Sequence, residues 1–382
     1  MSKRTKASKK RLNNLLMILL LTAVLLVMST YAWFTANRTV KIESLNVYVE
    51  ASSGLQISAN GQDWKTIITA DDIKNATSTH DDTKAWGGFS NALNQIPANM
   101  KPVSSDGVAW NETNGNHKLG QLKMFLGQVT TDLDDPTSDT YGHYLLEAVD
   151  QYDKKIDANN VEDASDPGNY IAFDIFLRHD QGNQDLYTYG SVTEYVESGN
   201  TATDKKLENS ARVAILKQGN TSDATDVTAV RAIPNLASPE VSLWEPNAGS
   251  HSERSVENAA LYRAVASNNI PATLDYNSDS NSVIPYAGIK TSYTSVPNKV
   301  ELYHANASLF GTYFSNIANG GGLDFWTTNK NVETHHQLPS QLAAGATKYR
   351  IYMWIEGQDV DCQNYASGQS IEYKLNFTLD EN

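Results

Sequence analysis

Residues 15–34 read LLMILLLTAVLLVMSTYAWF, 20 residues without a charge, and no other stretch constrains this chain as strongly. At 1.5 Å rise per residue, a helix of that length spans about 30 Å, the thickness of a bilayer's hydrocarbon core. Lys3, Arg4, Lys6, Lys9, Lys10 and Arg11 precede it, with no acid among residues 1–11. Basic flanks stay on the cytoplasmic side. The sequence therefore predicts a cytoplasmic stub and apolar segment over residues 1–36 and an extracellular domain over 40–382. The apolar segment has two fates. It is a retained membrane anchor, or it is a long signal peptide cut between Ala32 and Trp33, where Thr30 and Ala32 supply the small residues a signal peptidase reads. A type IV pilin start needs a Gly just before the apolar run and a Glu soon after, and neither is present.

Charge narrows the partners. With the six N-terminal bases set aside, 24 bases face 44 acids. An acidic domain repels phosphate backbones, so nucleic-acid binding is not expected. Cys362 is the one cysteine, which rules out an intrachain disulfide and a cysteine-based zinc site. It reads as a structural residue, with a free thiol for an intermolecular link as the alternative. A nucleophilic role needs a neighbouring base that the sequence does not assign.

Beyond residue 40 the dominant signal has a period of two. Leu45, Val47 and Val49 alternate with Asn46, Tyr48 and Glu50, and Ile171, Phe173, Ile175 and Leu177 with Ala172, Asp174, Phe176 and Arg178. Tyr349, Ile351, Met353 and Ile355 share one strand face, and Ile371, Tyr373, Leu375, Phe377 and Leu379 share another. Residues 211–217 form a shorter apolar run, and 54–69 read as a hairpin around Asn60-Gly61. Such alternation predicts strands that each bury one side. Helical spacing is confined to 254–268 and 305–318. Segments 72–84, 129–140, 150–168, 196–208 and 274–284 are rich in Asp, Asn, Ser and Thr and read as loops. The expected fold is mainly β: one antiparallel β-sandwich with long polar loops and a few short helices, its core strands drawn from both ends of the chain.

The basic start, the apolar run and the sequence Thr30-Tyr31-Ala32-Trp33-Phe34-Thr35, followed by Leu45-Asn46-Val47-Tyr48-Val49, resemble the signal region and first strand of the TasA/camelysin family. Residues 54–64, 243–247 and 352–364 also look like segments of large surface proteins of Firmicutes and Mollicutes-related bacteria. The resemblance implies export through a SipW-type signal peptidase, a jelly-roll-like fold, and a place on the cell surface or in the biofilm matrix of a Gram-positive bacterium. It also implies polymerisation by donation of an N-terminal strand, carried here by Leu45, Val47 and Val49. This chain and its apolar segment are longer than in those proteins.

Several groupings carry chemistry of their own. Glu356, Asp359, Asp361 and Asn364 crowd oxygen ligands of the kind a calcium ion takes, although the spacing is not that of an EF-hand and a polar hairpin loop explains it equally. Asp132, Asp134, Asp135 and Asp139 are a weaker case of the same kind. His335-His336 does not follow HExxH, and Gly320-Gly321-Gly322 lacks the Lys-Ser/Thr of a phosphate loop. Of the seven tryptophans, Trp64 and Trp354 read as core. Trp86, Trp110 and Trp326 stand in polar surroundings and read as a candidate platform for sugar rings.

These observations predict a non-enzymatic surface or matrix protein, partnered by the membrane through residues 15–34, by a signal peptidase, and by other copies of itself or surface glycans. A membrane-anchored adhesin or glycan-binding protein is the alternative. An extracellular hydrolase built on paired carboxylates is a third.

Overall fold

The alternating stretches do become strands. The structure, a computed structural model, describes residues 40–50, 54–76, 96–97, 99–111, 119–129, 144–148, 168–201, 205–251, 289–290, 299–302, 323–357, 359, 361–362 and 368–380. In chain order the strands are β1 (Val40–Val49), β2 (Gln56–Ser58), β3 (Ile67–Thr69), β4 (Asn99–Met100), β5 (Ser104–Ala109), β6 (Leu122–Val129), β7 (Tyr144–Ala148), β8 (Ile171–His179) and β9 (Tyr187–Glu194). There follow β10 (Ala211–Thr221), β11 (Glu240–Glu245), β12 (Ile289–Lys290), β13 (Lys299–Leu302), β14 (Leu323–Thr327), β15 (His336–Gln337), β16 (Gly345–Ile355) and β17 (Ser370–Thr378). The chain is mainly β. Among the described residues no helix is long and apolar enough to cross a membrane. Residues 15–34, with Thr30, Ala32 and Trp33, lie outside the described residues.

The strands form three sheets. The first runs β15-β9-β17-β1-β3, with β4 also on β1; the second runs β14-β11-β10-β16-β8-β2; the third runs β12-β13-β7-β6-β5. Leu45, Val47 and Val49 of β1 and Ile371, Tyr373, Leu375 and Phe377 of β17 face one hydrophobic cluster. Ile171, Phe173, Ile175 and Leu177 of β8 and Tyr349, Ile351, Met353 and Ile355 of β16 enter the same cluster from the second sheet. Each such side chain, fully buried, contributes about 1.5–3 kcal/mol.

The second sheet departs from the one-sided expectation. Every residue of β16 is buried. Its opposite face, with Tyr352, Trp354, Ala214, Leu216 and Leu243, meets Val103, Leu122 and Met124 in a second cluster. This sheet is a middle layer. Alternation survives in it as a change of chemistry: one face is hydrocarbon, while the other also carries the buried pair Arg350–Asp174 at 2.7 and 2.8 Å. The expected antiparallel pairing holds for most neighbours, but β1 runs parallel to β17 and β11 parallel to β14.

Three local expectations change. The turn at residues 60–63 is present, with the Asn60 side-chain oxygen accepting from the Gln62 and Asp63 amides. Its two arms then part, β2 joining β8 and β3 joining β1, with one bridge at Ile57–Lys65 between them. The stretch read as a loop from 72 begins inside a helix, Ala70–Asn75, whose first turn holds Asp71 and Asp72. That placement suits the helix dipole. Residues 207–210 form a buried 3₁₀ turn rather than a loop. The stretches 254–268, 305–318, 274–284, 320–322 and 130–140, and Trp86, lie outside the described residues.

Candidate functional site

The densest chemistry among the described residues lies at one end of the middle sheet, where β10 begins and β11 and β16 end. The 3₁₀ turn Leu207–Ser210 leads straight into β10, which places Asn209, Ser210 and Arg212 side by side. Antiparallel pairing of Val213 with Trp244 sets Glu245, the last residue of β11, near Arg212. The chain then turns back through Asn247, whose φ of 62° is left-handed. The Asn247 side chain donates to the carbonyls of Val192 and Glu208 and pins that turn. The short turn Ala248–Ser250 follows and delivers His251. From the other side, β16 ends in a tight return in which the Asp359 amide bonds Glu356 O and the Cys362 amide bonds Asp359 O. Asp359 and Asp361 are thereby carried into the same spot.

The groups converge closely. Arg212 Nη2 donates to Asp359 Oδ2 at 2.6 Å and to Glu245 Oε1 at 3.0 Å. Arg212 Nη1 donates to the carbonyls of Ala211 and Asn209. His251 Nδ1 lies 2.9 Å from Asp361 Oδ2, to which the Asn209 amide also donates. His251 Nε2 faces Glu245 Oε1 at 3.5 Å. Ser210 Oγ and the Asp361 amide both donate to Asp359 Oδ1. The side chains of Arg212, Glu245, Asp359, Asp361 and His251 are each at most 5% exposed.

Low dielectric makes these charges depend on one another. Burial pushes Asp359 up, and Asp361 and Glu245 add to that, so His251 and Arg212 recover only part and the carboxyl sits at about 6. Burial works against the charged imidazole, but Asp359, Asp361 and Glu245 outweigh it and lift His251 to about 10. Burial raises Glu245 too, yet Arg212 and His251 hold it below its ordinary value.

The oxygen cluster read from the sequence is rearranged. Asp359 and Asp361 do meet, but Glu356 accepts instead from Ser104 Oγ and Trp354 Nε1. Asn364 lies outside the described residues. Asp359 and Asp361 do not stand in a solvated loop: both are buried, Asp359 against Arg212 and Asp361 against His251. Glu245 and His251, missed by sequence reasoning, complete the group; the run Trp244-Glu245-Pro246-Asn247 ahead of a histidine was the one local signal. Comparison with protein families, curated proteins and solved structures finds no match.

The other candidates resolve differently. Trp326 is not a surface platform: it is 7% exposed and stacks between Trp244 at 5.0 Å and His336 at 4.5 Å. Parallel pairing of β14 on β11 forces that stack by setting Trp326 opposite Trp244. Trp110 is half-buried beneath the Lys123 ammonium. Trp354 is core, and Trp64 is half-buried with Arg178 over its ring. His336 is held by Asp324 at 2.6 Å, and His335 stacks on Tyr189. Cys362 is buried and its thiol is pushed well above its ordinary value, so it is inert and out of reach of an intermolecular link. A cleft of about 250 Å³ opens over β9 and β17, with Tyr189, Asn247, Asn329, Lys374 and Asn376 in its walls.

Proposed function

We propose that this chain is a non-enzymatic surface or matrix structural protein of a Gram-positive bacterium, exported by its apolar N-terminal segment, whose copies join by exchanging β1. The observation that supports this most is the position of β1. It is the first described strand and lies between β17 and β3, inside the sheet. The strand that the resemblance offers for donation is therefore bound within its own chain, and Leu45, Val47 and Val49 are buried there. Withdrawing β1 opens a slot between β17 and β3 whose shape and register fit the β1 of another copy. The two facing sheets follow a jelly-roll-like plan in this reading, supported by β17 lying between β9 and β1 and β16 between β10 and β8. The buried cluster at the strand ends serves here as a structural tie.

A covalent lock tests the exchange. Asn46 and Lys374 are register partners on neighbouring parallel strands. A disulfide in the Asn46→Cys/Lys374→Cys protein should abolish filaments seen by electron microscopy, and reduction should restore them. Filaments formed by the oxidised protein, or none from the unlocked chain, overturn the reading.

A second reading, a glycan-binding adhesin, is supported by the amide-rich cleft beside the Tyr189–His335 stack. Asn376→Ala should then weaken binding to surface polysaccharide, read by isothermal titration, while Trp110→Ala should leave it unchanged.

A further inference from the structure

We infer that His251, Glu245 and Asp359 form a binding site for one divalent transition-metal ion, for which Zn²⁺ is the matching probe. One ligand atom from each of the three residues lies within 4.8 Å of the others. His251 Nε2 is buried, has no hydrogen-bond partner, and is aimed at Glu245 Oε1 from 3.5 Å. Zinc bonds of about 2.0–2.2 Å in a tetrahedron set neighbouring ligands about 3.3–3.5 Å apart. The imidazole Nε2 and the Glu245 carboxylate already stand at that spacing, while Asp359, whose Oδ1 lies 3.7 Å from His251 Nδ1, has to swing toward Nε2 to complete the set.

The rest of the imidazole is prepared. Its Nδ1 faces Asp361 at 2.9 Å, and Asp361 is itself held by Asn209. A carboxylate behind a histidine fixes the tautomer that leaves Nε2 free for a metal. Asn209 Oδ1 is a second buried polar atom of this group without a hydrogen-bond partner.

Arg212 also donates to Glu245 and Asp359. That does not preclude a metal, because a carboxylate has about four lone-pair sites and the guanidinium takes one on each acid. An imidazole among the ligands selects a transition metal over calcium.

The test uses the full chain, purified in detergent and stripped with a chelator. Equilibrium dialysis against Zn²⁺ should load one tight ion that is lost in His251→Gln. The affinity should fall about 10–100-fold in Asp361→Asn, whose effect passes through the histidine, and should persist in His336→Gln. Co²⁺ should give a four-coordinate visible spectrum without a thiolate band. If the variants fail to fold, anomalous scattering from Zn²⁺-grown crystals of the unaltered chain decides: a peak among Glu245, His251 and Asp359 supports the site. A wild-type chain that loads no ion, a peak elsewhere only, or loading unchanged by His251→Gln overturns it. Filament assembly enters none of these readouts, so the site and the proposed function fail separately.

Discussion

Val47 lies beside Leu375 in parallel register, both side chains at most 1% exposed, so the first described strand and the last one hold each other in place. Closing this sheet requires chain ends more than 300 residues apart to meet. Leu375→Ala should therefore cost about 2–5 kcal/mol through lost burial and the cavity left behind. Urea denaturation read by tryptophan fluorescence measures the loss. A change under 1 kcal/mol would show that β1 and β17 do not support the core.

Arg212 touches Asp359 and Glu245 with one nitrogen. Without metal, Arg212→Met leaves Glu245 without its main counter-charge and Asp359 with His251 alone. The expected loss is about 3–5 kcal/mol. The Asp359→Asn change should cost less on the Arg212→Met background than on the wild type, because the carboxylate is then already stranded. Additive losses in the double-mutant cycle would mean the two groups do not interact.

How far the sequence disclosed this arrangement follows from range. β8, β10, β16 and β17 were legible because alternation is a local property, and packing kept it. That β16 buries both faces was not legible. Lys348, Arg350 and Asp174 fall on the side that one-sided burial leaves to solvent, and that face is turned inward by Val103, Leu122 and Met124 and, over Lys348, by Ile233. The candidate site shows the same division. Asp359 and Asp361 are two residues apart in sequence and were singled out, while Glu245 and His251 join them through strand pairing across more than 100 residues. Trp326 misled for a related reason: its neighbours in sequence are polar, but its neighbours in space are Trp244 and His336.

That stack gives a graded prediction. The Trp326 indole nitrogen is buried without a hydrogen-bond partner. Trp326→Phe keeps an aromatic ring between Trp244 and His336 and removes the orphan donor, whose burial is itself costly. Trp326→Ala empties the stack and should cost about 3–5 kcal/mol. Differential scanning calorimetry should rank the wild type and Trp326→Phe close together and Trp326→Ala far below. Equal losses in both variants would mean the ring's place in the stack is unimportant.

Lys348 supplies the pH dependence. Its side chain is buried on the inner face of β16, and its ammonium donates to the Ile233 carbonyl at 2.5 Å. Burial lowers it from 10.5 to about 8; Asp174 opposes that shift and Arg350 adds to it. Asp174 is already bonded to Arg350 by both oxygens, so it offers the ammonium little compensation. The unfolded chain therefore binds more protons than the folded one between about pH 8 and 10.5, and this group's contribution to stability rises with pH across that window. Below pH 8 both states carry the charge and the cost of burying it is constant. Lys348→Met removes the titration. The wild type should gain on Lys348→Met as the pH climbs from 8 to 10.5, read as the difference between urea midpoints converted with a common slope. Midpoints that move in parallel would place the Lys348 ammonium in water.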